Sequence, residues 1–182
     1  MNGREVLVGV TGGIAAYKTA ALVSQLVQAG CGVTVVMTAA AEKFVGPATF
    51  AALTGRPVAK RSFDDPAYPL GAHIMLAERA ELLCVAPATA DFLAKAAHGL
   101  ADDLLSTLFL AFGGPVLLAP AMNCQMWDKP AVQRNVTQLR ADGLEFVDPE
   151  EGWLSCRQRG AGRMAAPETI LSAIRLRLEQ IQ

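Results

Sequence analysis

Four short apolar runs, at residues 6–10, 33–37, 82–86 and 116–119, alternate with longer segments whose apolar residues recur at helical spacing. A strand that is apolar on both faces needs helices over both faces, and alternation of strand with helix makes the strands parallel. The expected fold is a single α/β domain over residues 1–182: a doubly wound, Rossmann-like and flavodoxin-like parallel sheet with helices on both faces. A weaker fifth strand is expected at 144–147. Helices are expected at 14–29, 47–53, 73–80, 91–97, 104–112, 130–141 and 168–179, with irregular loops at 61–71 and 150–162. With 182 residues, of which 52% are hydrophobic, the chain has enough apolar surface to fill one such core.

In a parallel sheet the carboxyl ends of the strands share one edge, and ligands of open α/β folds bind outside that edge. Here the four main runs end in Thr11-Gly12-Gly13, Thr38-Ala39-Ala40, Pro87-Ala88-Thr89-Ala90 and Pro120-Ala121-Met122-Asn123. Small residues let a ligand approach the backbone, and their repetition along one edge points to a nucleotide-like ligand. Asn123 carries the lone amide of its turn, where it either caps the next turn or meets a ligand. Some thirty residues on, Ser155-Cys156-Arg157-Gln158-Arg159-Gly160-Ala161-Gly162-Arg163-Met164 gathers a thiol, three arginines and two glycines, the composition of a flap over that site. The flap is expected at about residues 150–164.

Composition narrows the ligand and the chemistry. The formal net charge of -1 gives no reason to expect nucleic acid or an anionic membrane surface, and no apolar stretch has the length of a spanning helix. A cytoplasmic location is the expectation. The cysteines Cys31, Cys84, Cys124 and Cys156 form no CxxC pair, and the histidines are His73 and His98 alone, so no metal site is expected. Cys84, inside an apolar run, reads as a small core residue. The segment Gly12-Gly13-Ile14-Ala15-Ala16-Tyr17-Lys18-Thr19 nearly matches a phosphate-binding P-loop, but Tyr17 stands where that loop needs glycine. GxGxxG is absent, and the second strand ends in Met37-Thr38 rather than in an acid for a ribose diol, which disfavours NAD. A phosphate at the amino end of the first helix remains, and a mononucleotide such as FMN fits it. The hydroxylated tail would meet Thr38 or Thr89, and the ring would lie against Ala121 and Phe44.

These motifs together resemble the homo-oligomeric flavin-containing cysteine decarboxylases. The resemblance runs through Gly12 to Lys18, Thr38 with Phe44, His73-Ile74, Ala86 to Asp91, Ala101 to Leu105, Pro120 to Asn123 with Met126, and Cys156 through Gly160 to Met164. It implies FMN as cofactor, held by Gly12, Gly13, Ile14, Thr38, Phe44, Ala88, Thr89, Ala90, Asp91, Ala121 and Met122. It implies His73 and Cys156 as catalytic residues, the first at the reacting cysteine and the second as the acid that protonates the intermediate. Substrate would be held by Asn123, Met126, Trp153, Leu154, Ser155 and Arg163. Within the family the pattern is most similar to the branch that converts 4'-phosphopantothenoylcysteine to 4'-phosphopantetheine and CO2. The resemblance further implies self-association as a trimer or dodecamer, with FMN between subunits, and a phosphopantothenate-cysteine ligase partner, fused or separate. Arg157-Gln158 replaces the Gly-Asp that commonly follows the flap cysteine, and Asp91 stands where many members have Asn.

The chemistry explains why such residues are needed. Decarboxylating a plain cysteine carboxamide would leave an unstabilised carbanion. Oxidising the thiol first supplies an electron sink, so a flavin has to be positioned against it. An acid is then required if the product is to leave as a saturated thiol, and Cys156 meets that need. Other readings are a peptide C-terminal cysteine decarboxylase, which stops at the enethiol, a flavin prenyltransferase, and a non-catalytic regulatory homologue.

Overall fold

A computed structural model of the chain describes residues 1–63, 66–69, 71–153, 157 and 159–181. Five strands, β1 (Glu5–Val10), β2 (Gly32–Met37), β3 (Leu82–Ala88), β4 (Val116–Pro120) and β5 (Glu145–Phe146), form one parallel sheet in the order β2-β1-β3-β4-β5. That is the flavodoxin-like order, and its switch point lies between β1 and β3.

Alternation along each strand divides the core into two layers. Val6, Val8 and Val10 of β1, with Leu82, Cys84 and Ala86 of β3, face helices α1 (Ala16–Gln28) and α8 (Pro167–Gln180), where Leu22, Leu26, Ile170, Ile174 and Leu178 are fully buried. Leu7, Leu83 and Val85 face the other way. They meet Leu76, Leu93, Leu105, Leu108 and Leu139 from α3 (Ala72–Arg79), α4 (Ala90–His98), α5 (Leu104–Ala111) and α7 (Pro130–Ala141). Each such leucine contributes about 2 kcal/mol of transfer free energy, which is why the apolar runs dictate the sheet. Cys84 sits inside this sandwich, and burial pushes its thiol pKa up to about 12, so it is neutral core filling.

Further helices are α2 (Pro47–Thr54) and the single turn α6 (Cys124–Trp127). The segment 150–162 is not the irregular loop that its glycines suggest. It contains an antiparallel pair, β6 (Glu150–Trp153) and β7 (Arg159–Arg163). Glycine and arginine carry no alternating apolar signal, so this pairing is invisible in the sequence. The glycines instead permit contact with α6 and the turn before it. A side chain at Gly160 would begin 2.9 Å from Cys124 Cβ, and one at Gly162 would begin 2.4 Å from the Met122 carbonyl. Gly162 also has φ of 122°, which other residues rarely adopt. Among the described residues no helix is long and apolar enough to cross a membrane, and no cluster of ligating side chains could hold a metal ion.

Candidate functional site

The carboxyl edge of the sheet opens into a cavity of about 820 Å³ between the turns that follow β1, β2, β3 and β4, with the β6–β7 hairpin on its far side. Two buried hydroxyls hold the switch point. Thr11 Oγ1 donates to the Pro87 carbonyl at 2.6 Å and accepts from the Thr89 N–H at 3.1 Å. Thr19, on the first turn of α1, donates to the Ala86 carbonyl at 2.7 Å. Each satisfies a carbonyl at the carboxyl end of β3, just before α4, where an unpaired buried group would cost about 1–3 kcal/mol. The β1 and β3 turns are thereby fixed against each other. Gly12 closes the third side: a side chain there would start 2.4 Å from Ala40 Cβ, so the turn after β1 rests directly on the turn after β2.

Two helix amino ends meet at this floor. The N–H groups of Gly12, Ile14 and Ala15, before α1, have no acceptor among the described residues, nor do those of Ala90 and Asp91 in the first turn of α4. Free N–H groups at a helix start, with the helix dipole behind them, favour an anion. The Asp91 carboxylate lies at the same end but is drawn aside by Lys95, 3.2 Å away, which also reaches Asp102 at 3.0 Å. Burial works against the Lys95 charge, yet hydrogen bonds to Asp102 and Asp91 outweigh it and raise its pKa above the usual lysine range. Lys95 holds Asp102 below the usual carboxylate range in turn.

The opposite wall is apolar and carries one amide. Ala121, Met122 and Met126 face the cavity, as does Trp153 from β6. The turn after β4 is tied on both sides, by Ala121 N–H to the Ala88 carbonyl at 3.1 Å and by Met122 N–H to the Gly162 carbonyl at 2.9 Å. Asn123 does both things its sequence position suggested. Its Oδ1 caps α6 by accepting from the Gln125 N–H at 2.8 Å, while Nδ2 has no acceptor among the described residues and remains a donor at the cavity wall.

Thirteen of the residues expected from sequence therefore border one space: Gly12, Gly13, Ile14, Thr38, Thr89, Ala90, Asp91, Ala121, Met122, Asn123, Met126, Trp153 and Arg163. Ala88 is fully buried in β3 and serves through its carbonyl rather than at the cavity surface. Phe44 and His73 do not border the cavity within a single copy of the chain. Phe44 follows a 3-10 turn at Ala41–Lys43 and stands 48% exposed. His73 opens α3, which packs against α5. Its ring lies beside Gly71, and its Nδ1 is buried with no partner among the described residues. Leu154, Ser155 and Cys156 fall outside the described residues. Sequence reasoning missed Thr11, Thr19, Lys18 and Lys95 as parts of the site. For Thr11 the available signal was a hydroxyl one position beyond an apolar strand, whereas the other three lie within the helices that follow β1 and β3.

A parallel sheet whose switch point carries two facing helix starts and an apolar wall defines a nucleotide-cofactor-binding α/β domain. The chain belongs to the Flavoprotein family, whose profile matches residues 1–179. It is 48% identical over 171 residues to the coenzyme A biosynthesis bifunctional protein CoaBC of Bacillus subtilis (strain 168), a match that covers 94% of this chain and 42% of that protein. The chain thus spans under half the length of the curated relatives it matches. Among solved structures it is similar to the FMN-dependent cysteine decarboxylase SpaF, with TM-score 0.84 and 40% identity over 97% of this chain and 96% of that one. It is also similar to a cysteine-to-serine variant of a PPC decarboxylase complexed with pantothenoylaminoethenethiol, with TM-score 0.89 and 29% identity over 98% of this chain and all of the other.

Proposed function

We propose that this chain is an FMN-dependent decarboxylase of 4'-phosphopantothenoylcysteine, acting in coenzyme A synthesis and yielding 4'-phosphopantetheine and CO2. The carrying observation is the cavity itself: free N–H groups at two helix starts on its floor, and an apolar wall ending in the Asn123 amide. The residues present fit FMN. Gly12, Ile14, Ala15, Ala90 and Asp91 supply N–H groups for the phosphate, Thr38 and Thr89 supply hydroxyls for the ribityl chain, and Ala121 and Met122 offer a flat apolar surface for the ring. FMN held there would supply a reversible two-electron oxidation of the substrate thiol, the electron sink that loss of CO2 requires and the source of reducing equivalents for the saturated product.

The chain's own groups do the positioning and the proton work. Asn123 Nδ2 would donate to the substrate carboxylate or amide and fix its position in the cavity, an orientation worth several powers of ten in rate. Met126 and Trp153 shield that spot from water. Cys156, in the segment that joins β6 to β7, gives the proton that completes the saturated thiol. His73 serves the reacting thiol from a second copy of the chain. An assembly of trimers, as the family resemblance implies, would bring His73 and Phe44 to a cavity that one copy leaves open. Similarity to CoaBC supports a ligase partner, fused or separate.

Mass spectrometry of the product formed from phosphopantothenoylcysteine tests the reading. The saturated thiol is expected from the wild type, and the enethiol, two hydrogens short, from Cys156→Ser. Normal product from Cys156→Ser would overturn the role of that thiol. His73→Asn is expected to lose turnover while retaining its yellow colour, and loss of the flavin would mean a structural role instead.

A further inference from the structure

The cavity carries charged groups that the helix-start cradle does not use. Besides the N–H groups at its floor and Lys95, which is paired with acids, it is bordered by two further cations on facing elements: Lys18, in the first turn of α1, and Arg163, at the end of β7. Neither makes an ion pair among the described residues. Lys18 Nζ donates to a neutral acceptor, the Met164 carbonyl at 2.8 Å, immediately after Arg163 in the chain. That leaves two of its three N–H donors available. The Arg163 side chain makes no hydrogen bond among the described residues, and its Cδ and Nη1 lie across Gly152, at 2.9 and 3.0 Å from where a side chain would begin. The nearby acids are engaged elsewhere: Glu150 accepts from the Ala166 N–H at 3.1 Å, and Glu168 from Gln25 at 2.7 Å. Burial and then the neighbouring Arg163 charge depress the Lys18 pKa, and the Glu150 and Glu168 carboxylates offset this only in part.

We infer that Lys18 and Arg163 form a second anion subsite, separate from the helix-start cradle, which takes the phosphate monoester of the substrate. The inference rests on the decarboxylase reading above and deepens it. That reaction brings two phosphorylated molecules into one cavity, cofactor and substrate, and the cavity offers two anion sites. A dianion bridging the ammonium and the guanidinium would relieve their repulsion and accept charge-assisted hydrogen bonds from both. The pair also separates this chain from decarboxylases of peptide cysteines, whose substrates carry no phosphate at that position.

The test compares binding of 4'-phosphopantothenate with that of pantothenate to the FMN-loaded protein, by calorimetry, alongside turnover of phosphopantothenoylcysteine and its dephosphorylated form. The wild type is expected to bind the phosphorylated ligand about a hundredfold more tightly. Lys18→Met and Arg163→Met should each reduce that preference about tenfold without affecting pantothenate, and Lys18→Arg and Arg163→Lys should recover most of it. Equal binding of the two ligands by the wild type would overturn the subsite. So would variants that weaken FMN but leave riboflavin unchanged, since the pair would then belong to the cofactor phosphate. A wild type that shows the phosphate preference yet turns over neither substrate would uphold the subsite and retire the decarboxylation.

Discussion

The sheet edge and the β6–β7 hairpin form opposite walls of one cavity and are built by different means. The edge is held by buried groups: apolar strands behind it, and Thr11 and Thr19 hydroxyls bonded to the Pro87 and Ala86 carbonyls. The hairpin contributes few core side chains; Met164 just beyond it is buried, while Trp153 and Arg163 are exposed. Among the described residues, its ties to the edge include close contacts at Gly160 and Gly162, the bond from Met122 N–H to the Gly162 carbonyl, and the reach of Lys18 to the Met164 carbonyl. A cofactor that stays bound needs a fixed cradle, whereas a substrate that comes and goes needs a wall that can part from it at low cost. The two walls match those two needs.

If that contrast is right, damage to the hairpin should affect turnover far more than stability, and damage to the edge should affect both. The largest effect is expected from Gly162→Val, which places a branched side chain against the Met122 carbonyl and forces an unfavourable φ. Activity should fall by about a hundredfold through misplacement of the wall, with FMN content retained, as read by steady-state kinetics and flavin absorbance. Asn123→Asp keeps the oxygen that caps α6 but replaces the free donor with a negative charge. The turnover of substrate should drop by roughly thirtyfold, equivalent to one hydrogen bond to a charged group, and the melting temperature should hold.

Thr11→Val strips the Pro87 carbonyl and the Thr89 N–H of their buried partner. Stability should fall by about 2 kcal/mol, visible in urea denaturation, and FMN affinity should fall with it because the α4 start moves. The smallest effect is expected at Lys95. Exposed ion pairs are weak, so Lys95→Met should reduce FMN affinity only about threefold, by releasing the Asp91 carboxylate beside the bound phosphate. In an Asp91→Asn background the same change should have little effect, which fluorescence titration can measure. An equal loss in both backgrounds would show that Lys95 acts some other way.

The legibility of this molecule follows the same division. Residues 6–10, 33–37, 82–86 and 116–119 announce their strands because two-sided burial demands unbroken apolar runs, and the parallel sense of the sheet follows from the alternation with helices. The turns after those strands could be read as a ligand edge for the same reason. The hairpin could not be read, since Gly152, Gly160 and Gly162 are there for what they lack, a Cβ, and absence of a side chain leaves no periodic signal. Lys18 and Lys95 were hidden differently: each lies on a helix face that composition alone marks as solvated, and only the meeting of elements turns it toward the cavity. Phe44 and His73 carry the family pattern, but no local rule says that one chain would leave them outside its own cavity.

The central claim is that the N–H groups at the starts of α1 and α4 hold the phosphate of a flavin mononucleotide. Titration of the flavin-free protein with FMN and with riboflavin, followed by quenching of flavin fluorescence, addresses it directly. Loss of a phosphate that meets several such donors predicts binding about a thousandfold weaker for riboflavin, about 4 kcal/mol. Equal affinity for the two flavins, or no binding of either, would contradict the account.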